Sequence, residues 1–499
     1  MFLINVKPLG KTFEQYTNFL LRRYVSHFYT QGTLEVHIIF DKQYGEEFNP
    51  KQWEQHQRDQ NAKQNQQGPH VHTCISNLSD TTQVPSNWRA LLGCRECKHQ
   101  LLVYLSESIL SSATKYIAKP EQKLVTAGPA DPRSCDMKGH IQVEHKYQCH
   151  CIESDSRLWR HSTKCGYHRQ LIYCPDTDAY MIGLTNRIKS TDVVVELTTI
   201  GSKDRKLLSM NELIDSLERD PDLSLVPSQD LQRYLYVSTG CDYISFFYGL
   251  GKSSFFNSFC RYSDFICGSR ANGSIANSKS PEAYLSFLRL VGTAYFLKYR
   301  STYRGTKSPV TLFNSCSRRN AEEQHIQWLD KIHAHVWEEV QNEYNLPPSH
   351  TALNLHWLRS IWILNMWNQS SSNEVTSLSP TDYGWNTLEN GYKIQYETDE
   401  QVLIVKQRVS KFTKGCKCKN GCKTKRCGCK KQELQCGPGC RCLNCENLLT
   451  SQDVVSSSTI DIGGTSTEIE SDTESENEAN NDYLTTDTES TIDNENELA

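Results

Sequence analysis

Phe13, Tyr16, Leu20 and Tyr24 recur three or four positions apart in KTFEQYTNFLLRRYVSHF, so the chain opens with a predicted helix carrying one apolar face. The following TLEVHIIFD is rich in β-branched and aromatic residues and reads as a strand running into Asp41. Further on, residues 87–120, from NWRALLGCRECKHQLLVYL, read as helical, and SRLWRHS predicts another helix. RQLIYCPDTDAYMIGL carries a predicted buried strand and DVVVELTTI a second. SMNELIDSLERD then reads as a helix, and DLQRYLYVSTGCDY as a helical run ending in a turn. Strands alternating with helices predict an α/β fold with a parallel sheet covered on both faces.

Polar and irregular stretches divide the chain into parts. Residues 51–86 form a Gln-rich insertion that reads as a mobile loop, with seven Gln within 51–67. Residues 126–148 hold Gly, Pro and Asp clusters and read as a second irregular stretch. The expected units are 1–265 for the α/β domain, 266–410 for a helical Trp-rich region, 411–447 for a Cys-rich module and 448–499 for a tail. Trp328, Trp337, Trp357, Trp362 and Trp367 recur at helical spacing and read as core. The tail is composed mainly of Ser, Thr, Asp and Glu, so it cannot bury enough apolar surface to fold alone and reads as disordered.

Charge sharpens this division. Ten Lys/Arg and one Glu lie between Lys411 and Cys445, whereas Ser451–Ala499 carries fourteen Asp/Glu and no Lys or Arg. A basic knot followed by an acidic tail points to a polyanion partner for the knot and basic protein partners for the tail. No run of about 18 apolar residues occurs, so no membrane partner is expected. The first residues, MFLINVKPLGKTF, lack the apolar core and cleavage site of a signal peptide. Nine of the 21 cysteines fall at 416–445, which in a chain this long points to metal rather than to a disulfide scaffold.

Acids stand where an α/β sheet would gather them, beyond the carboxyl ends of strands. Asp41 ends one strand, and Asp176 and Asp178 follow another; Glu153 and Asp155 open a helix, and Asp242 lies in a turn of TGCDYISFFYGLGK. Such carboxylates suit Mg²⁺ or Mn²⁺, hard ions that prefer oxygen ligands and bind phosphate beside them. Singly each motif is weak, because acids at strand ends are commonly solvated loop residues.

Taken in order, these elements resemble the PIN-like nucleases of the flap endonuclease/XPG type across roughly residues 1–265. That family has an acid after a "vvFD" strand, a Glu-x-Glu/Asp at a helix start, and an Asp-x-Asp after a strand. A G-x-D-Y turn and a G-x-G stretch complete its pattern. The resemblance implies a PIN-like parallel-sheet fold in which Asp41, Glu153, Asp155, Asp176, Asp178 and Asp242 hold two Mg²⁺ or Mn²⁺ ions for phosphodiester hydrolysis. It also implies that the turn with Gly249, Gly251 and Lys252 meets a DNA phosphate. Two departures bear on activity. The family has a further Asp before its first helix, whereas residues 1–40 contain none; the chain reads either as beginning just after that residue or as having lost it. The Gln-rich insertion also stands where the family has a basic arch.

The nine cysteines are Cys416, Cys418, Cys422, Cys427, Cys429, Cys436, Cys440, Cys442 and Cys445. Two separate four-thiolate sites would leave one over, whereas three Zn²⁺ ions fit nine thiolates if three of them bridge. Such a cluster carries a net negative charge that the surrounding lysines offset. This spacing resembles the tesmin-type CXC domain, a DNA-binding module, over residues 414–447. The resemblance places Arg426 where the tesmin type has a groove-entering Tyr, and an Arg can read a narrow minor groove through its negative potential. Lys417, Lys419, Lys423, Lys425, Lys430 and Lys431 would meet phosphates.

The whole chain resembles a group of animal proteins that join a PIN-like domain to one CXC domain and are thought to derive from mobile elements. The expected function is a nuclear DNA-binding protein with a nuclease-like domain tethered by zinc. Two alternatives stand beside it: a catalytically inactive chromatin scaffold, and a protein directed at RNA. Lesser metal candidates are Cys94 with Cys97, and the CHC at 149–151 with Cys135, His140, His145 and Cys165.

Overall fold

The computed structural model describes residues 10–42, 77–197, 205–221, 223, 235–268, 281–300, 306, 308–316, 320–339, 345–372, 378–389, 391–409, 415–431, 436 and 442–447. The tail and most of the Gln-rich insertion therefore lie outside the described residues.

Helix α1 (Phe13–Leu21) is capped by Thr12, continues through a π-turn to Thr30, and leads into strand β1 (Glu35–Ile39). Helix α2 (Arg95–Ser112) precedes β2 (Lys123–Ala127), which pairs in parallel with β1. The stretch read as irregular at 126–148 instead contains β3 (Arg133–Cys135) and β4 (Ile141–Val143), which complete an antiparallel ladder in the order β1-β2-β3-β4. Its Gly and Pro residues sit between short strands, where turn chemistry and strand breaks look alike in sequence. Phe13, Tyr16, Leu20, Leu101, Leu105 and Ile109 are fully buried between α1, α2 and this sheet.

A second sheet follows. Helix α3 (Ser154–Lys164) leads to β5 (Arg169–Tyr173), helix α4 (Thr177–Asn186) and β6 (Asp192–Glu196), and β5 and β6 pair in parallel. Strand β7 (Leu207–Ser209) adds antiparallel to β6 and opens helix α5 (Met210–Arg219). Among the described residues the expected single parallel sheet is thus two separate mixed sheets, each with one parallel pair, in which β1 and β5 are end strands. Strand β5, expected to be buried, is half-exposed for the same reason, and Leu171 keeps 44% of its surface.

The helical region holds α6 (Lys252–Cys267), α7 (Pro281–Lys298), α8 (Ala321–Glu339) and α9 (His350–Asn368). Trp328, Trp357, Trp362 and Trp367 are buried in one core shared with the second sheet. Gly292 on α7 lets Trp328 of α8 approach so closely that a Cβ there would stand 2.4 Å from the indole. Among the described residues no helix is long and apolar enough to cross a membrane.

Candidate functional site

Between β1 and β5 runs a cleft of about 1020 Å³, lined by every residue of both strands. Their directions can be read from its two ends. Asp41 follows β1 and accepts hydrogen bonds from the Ser154 backbone N–H (3.0 Å) and hydroxyl (2.9 Å). Cys174 follows β5 and its thiol lies 3.6 Å from an Asp155 carboxylate oxygen. Both carboxyl ends therefore meet the amino end of α3. At the other end Tyr167, just before β5, hydrogen-bonds Glu35, the first residue of β1. The two strands thus run side by side in one direction.

Five acids from four chain segments line one end of the cleft: Asp41, Glu153 with Asp155, Asp176 and Asp242. Asp178 is held behind them, accepting a hydrogen bond from the Tyr236 hydroxyl and feeling the charges of Asp176, Asp155 and Asp242. Local sequence sets each acid. Glu153 and Asp155 open α3, where the positive end of the helix dipole favours carboxylates. Asp176 caps α4 by accepting the Asp178 N–H at 3.0 Å. Asp242 is exposed in the turn closed by the Cys241–Ile244 bridge. Arg157, which is 3% exposed, ties the carboxyl ends of the paired strands β1 and β2 together through the carbonyls of Phe40 (2.6 Å) and Gly128 (3.1 Å).

Electrostatics differ across the cluster. Burial opposes ionisation of Asp41, but nearby positive charge and the Ser154 hydrogen bonds outweigh it and hold its carboxyl below the ordinary range. Burial, followed by the Asp176 charge, pushes Asp178 up to about 7. A carboxyl whose folded pKa lies above its unfolded value binds more protons when folded, so stability falls as pH rises between those values. In chelator, Asp178→Asn is therefore expected to remove a fall in melting temperature between about pH 4 and pH 7. An unchanged slope across that window would contradict the crowding of these acids.

The acids share a cleft without forming a tight cage. Among the described residues, the only groups of three or more metal-ligating side chains with ligand atoms within 4.8 Å of one another are cysteines of the C-terminal knot. The lesser candidates around Cys94 and around the CHC at 149–151 form no such group. In the glycine turn expected to meet a DNA phosphate, the lysine side chain is already engaged. Gly251 does precede α6, but the Lys252 ammonium turns inward, donating to the carbonyls of Gly240 (2.5 Å) and Tyr236 (3.2 Å). Gly249 has a φ of +70°, and its carbonyl accepts from Lys298 at 2.9 Å.

In the knot, seven of the nine cysteines have described side chains; Cys440 and the Cys445 side chain lie outside the described residues. The seven form three overlapping groups of four, and Cys416 belongs to all three. Sulfur separations are 3.7 Å for Cys416–Cys422, 3.9 Å for Cys416–Cys436 and 3.6 Å for Cys427–Cys436. A tetrahedral zinc with bonds of about 2.3 Å sets its sulfurs about 3.8 Å apart, so the cluster is compatible with zinc. Burial opposes the Cys416 thiolate, but the Cys418 amide and neighbouring thiols outweigh it and draw its pKa down to about 6. Lys417, Lys419, Lys425, Arg426 and Lys431 are exposed around it, Lys430 is half-buried, and Lys423 pairs with Glu446 at 2.5 Å.

No family model matches this chain, and none of the curated proteins matches it significantly. Its geometry defines a mixed α/β protein with an acid-lined cleft and a separate thiolate cluster suited to zinc. Sequence reasoning missed Ser154, Arg157 and Tyr236. Ser154, flanked by two acids at a helix start, was the one with a local signal; the other two act across 117 and 58 positions.

Proposed function

We propose that this protein is a nuclear DNA-binding protein whose PIN-like, nuclease-like domain is tethered to DNA by a three-zinc CXC cluster. The supporting observation is the arrival of five acids, from four segments, at one end of one cleft. The fit to Mg²⁺ or Mn²⁺ rests on the donor set, all carboxylate oxygens, and on the crowding of Asp178 by the charges of Asp176, Asp155 and Asp242, which a bound cation would offset. Asp41, Glu153, Asp155, Asp176, Asp178 and Asp242 would hold the ions. Bound there, the metals would supply an activated water and charge stabilisation for phosphodiester hydrolysis. The chain's own part is positional: Ser154 fixes Asp41, Tyr236 fixes Asp178, and Arg157 fixes the end of β1.

With Mn²⁺ or Mg²⁺, the purified protein is expected to cut flap, nicked or single-stranded DNA. Asp176→Asn and Asp242→Asn should each lower the rate at least about a hundredfold. Uncut substrates with both ions would overturn the enzymatic half of the proposal. The second reading is a non-catalytic DNA-binding scaffold, favoured by the lack of any three described acids close enough to share one ion. In that case binding remains, steeply weakened by salt, and competition with structured RNA tests the choice of nucleic acid. The acidic tail is proposed to engage basic protein partners.

A further inference from the structure

The cleft has a second property that its acids do not use. β1 turns the even-numbered backbone groups toward β2, since Leu34 accepts from Lys123 (2.9 Å) and Phe40 donates to Ala127 (2.7 Å). Alternation then directs the peptide groups of Glu35, His37 and Ile39 to the cleft. β5 does the same. His168 accepts from Asp192 (2.8 Å) and Cys174 donates to Glu196 (3.1 Å), so Arg169 and Leu171 face the cleft. Among the described residues, two end strands of equal length, running in one direction, thus present matching backbone edges to the same space.

The space is also walled like the inside of a sheet. Tyr24 and Phe28 line one side and Leu158 and His161 the other, while Leu171 leaves 44% of its surface uncovered. A strand covered on both faces is apolar throughout and is favoured by β-branched residues. At the carboxyl ends stand Asp41, Asp155, Asp176 and Asp242, a concentration of negative charge that selects a cation.

We infer that the cleft is a docking groove for one extended strand of a partner protein, apolar and β-branched where it lies between β1 and β5, and basic where it passes Asp41 and Asp176. Such a strand would join the two sheets into one, with main-chain hydrogen bonds supplying affinity and the acid end supplying selectivity. The inference stands apart from the nuclease reading, because it needs only the backbone edges and the charge.

Hydrogen exchange on the full chain in chelator tests it. The probes are acetyl-Val-Ile-Val-Thr-Val-Lys-Lys-amide and the same peptide ending in Asp-Asp. The basic peptide is expected to slow exchange at Glu35, His37, Ile39, Arg169 and Leu171 about tenfold or more, and the acidic peptide to do so far less. Three outcomes overturn the inference: slow exchange at these amides before any peptide is added, no change with the basic peptide, or equal protection by both peptides. A failure of DNA cleavage leaves these readings untouched, so the two proposals fail separately.

Discussion

Removing metal from the C-terminal knot is expected to unfold residues 415–447 while leaving the melting of the rest of the chain unchanged. The cluster in this segment consists of cysteines, so little apolar burial exists to replace the metal. A structural zinc contributes roughly 10–16 kcal/mol of apparent binding energy at neutral pH, larger than the whole folding free energy of many domains. Chelation should release about three zinc ions per chain, counted by elemental analysis, and expose the cysteines to alkylation. Position matters within the cluster. Cys416 belongs to all three four-sulfur groups and Cys418 to one, so Cys416→Ser should release more zinc than Cys418→Ser. Equal release from the two variants, or retained protection of the thiols after chelation, would contradict a shared cluster.

Trp159→Ala is expected to cost about 3–5 kcal/mol, the loss typical of a large ring removed from a packed core. Trp159 is fully buried on α3 and its indole N–H donates to the Ala179 carbonyl at 2.6 Å. It packs against Gly183, where a Cβ would stand 2.2 Å from the ring, so α3 and α4 are locked together. Those two helices open with Asp155 and Asp178, and the variant should therefore disturb the acid cluster as well as stability. Thermal unfolding checks the first effect. Trp159→Phe, which keeps most of the packing and loses the hydrogen bond, should cost about 1–2 kcal/mol. Equal melting of Trp159→Ala and the parent would remove this account of how the helices hold the cleft.

Strands β1 and β6 were legible in the sequence because each is a short β-branched run, β5 because Leu171, Ile172 and Tyr173 form a short apolar run before a Pro-Asp break, and α1 because Phe13, Tyr16 and Leu20 keep helical spacing. The acids were legible for a related reason, since strand ends and helix starts are local features. What could not be read was arrangement. That β5 ends a sheet, leaving Leu171 half-exposed, depends on which neighbours a strand acquires and not on its own composition. Lys252 illustrates the same limit. The resemblance put the turn of Gly249, Gly251 and Lys252 against a phosphate, whereas the Lys252 ammonium sits 3.8 Å above the Tyr236 ring and binds carbonyls supplied by an earlier turn. The hairpin of β3 and β4 escaped because three-residue strands carry too few positions for a period to show.

The contact between Gly292 and Trp328 constrains how this chain can change over time. Any side chain at 292 would collide with the ring, and a smaller residue at 328 would leave a void where the indole now sits. Neither substitution is tolerated alone, so the two sites can drift only as a matched pair.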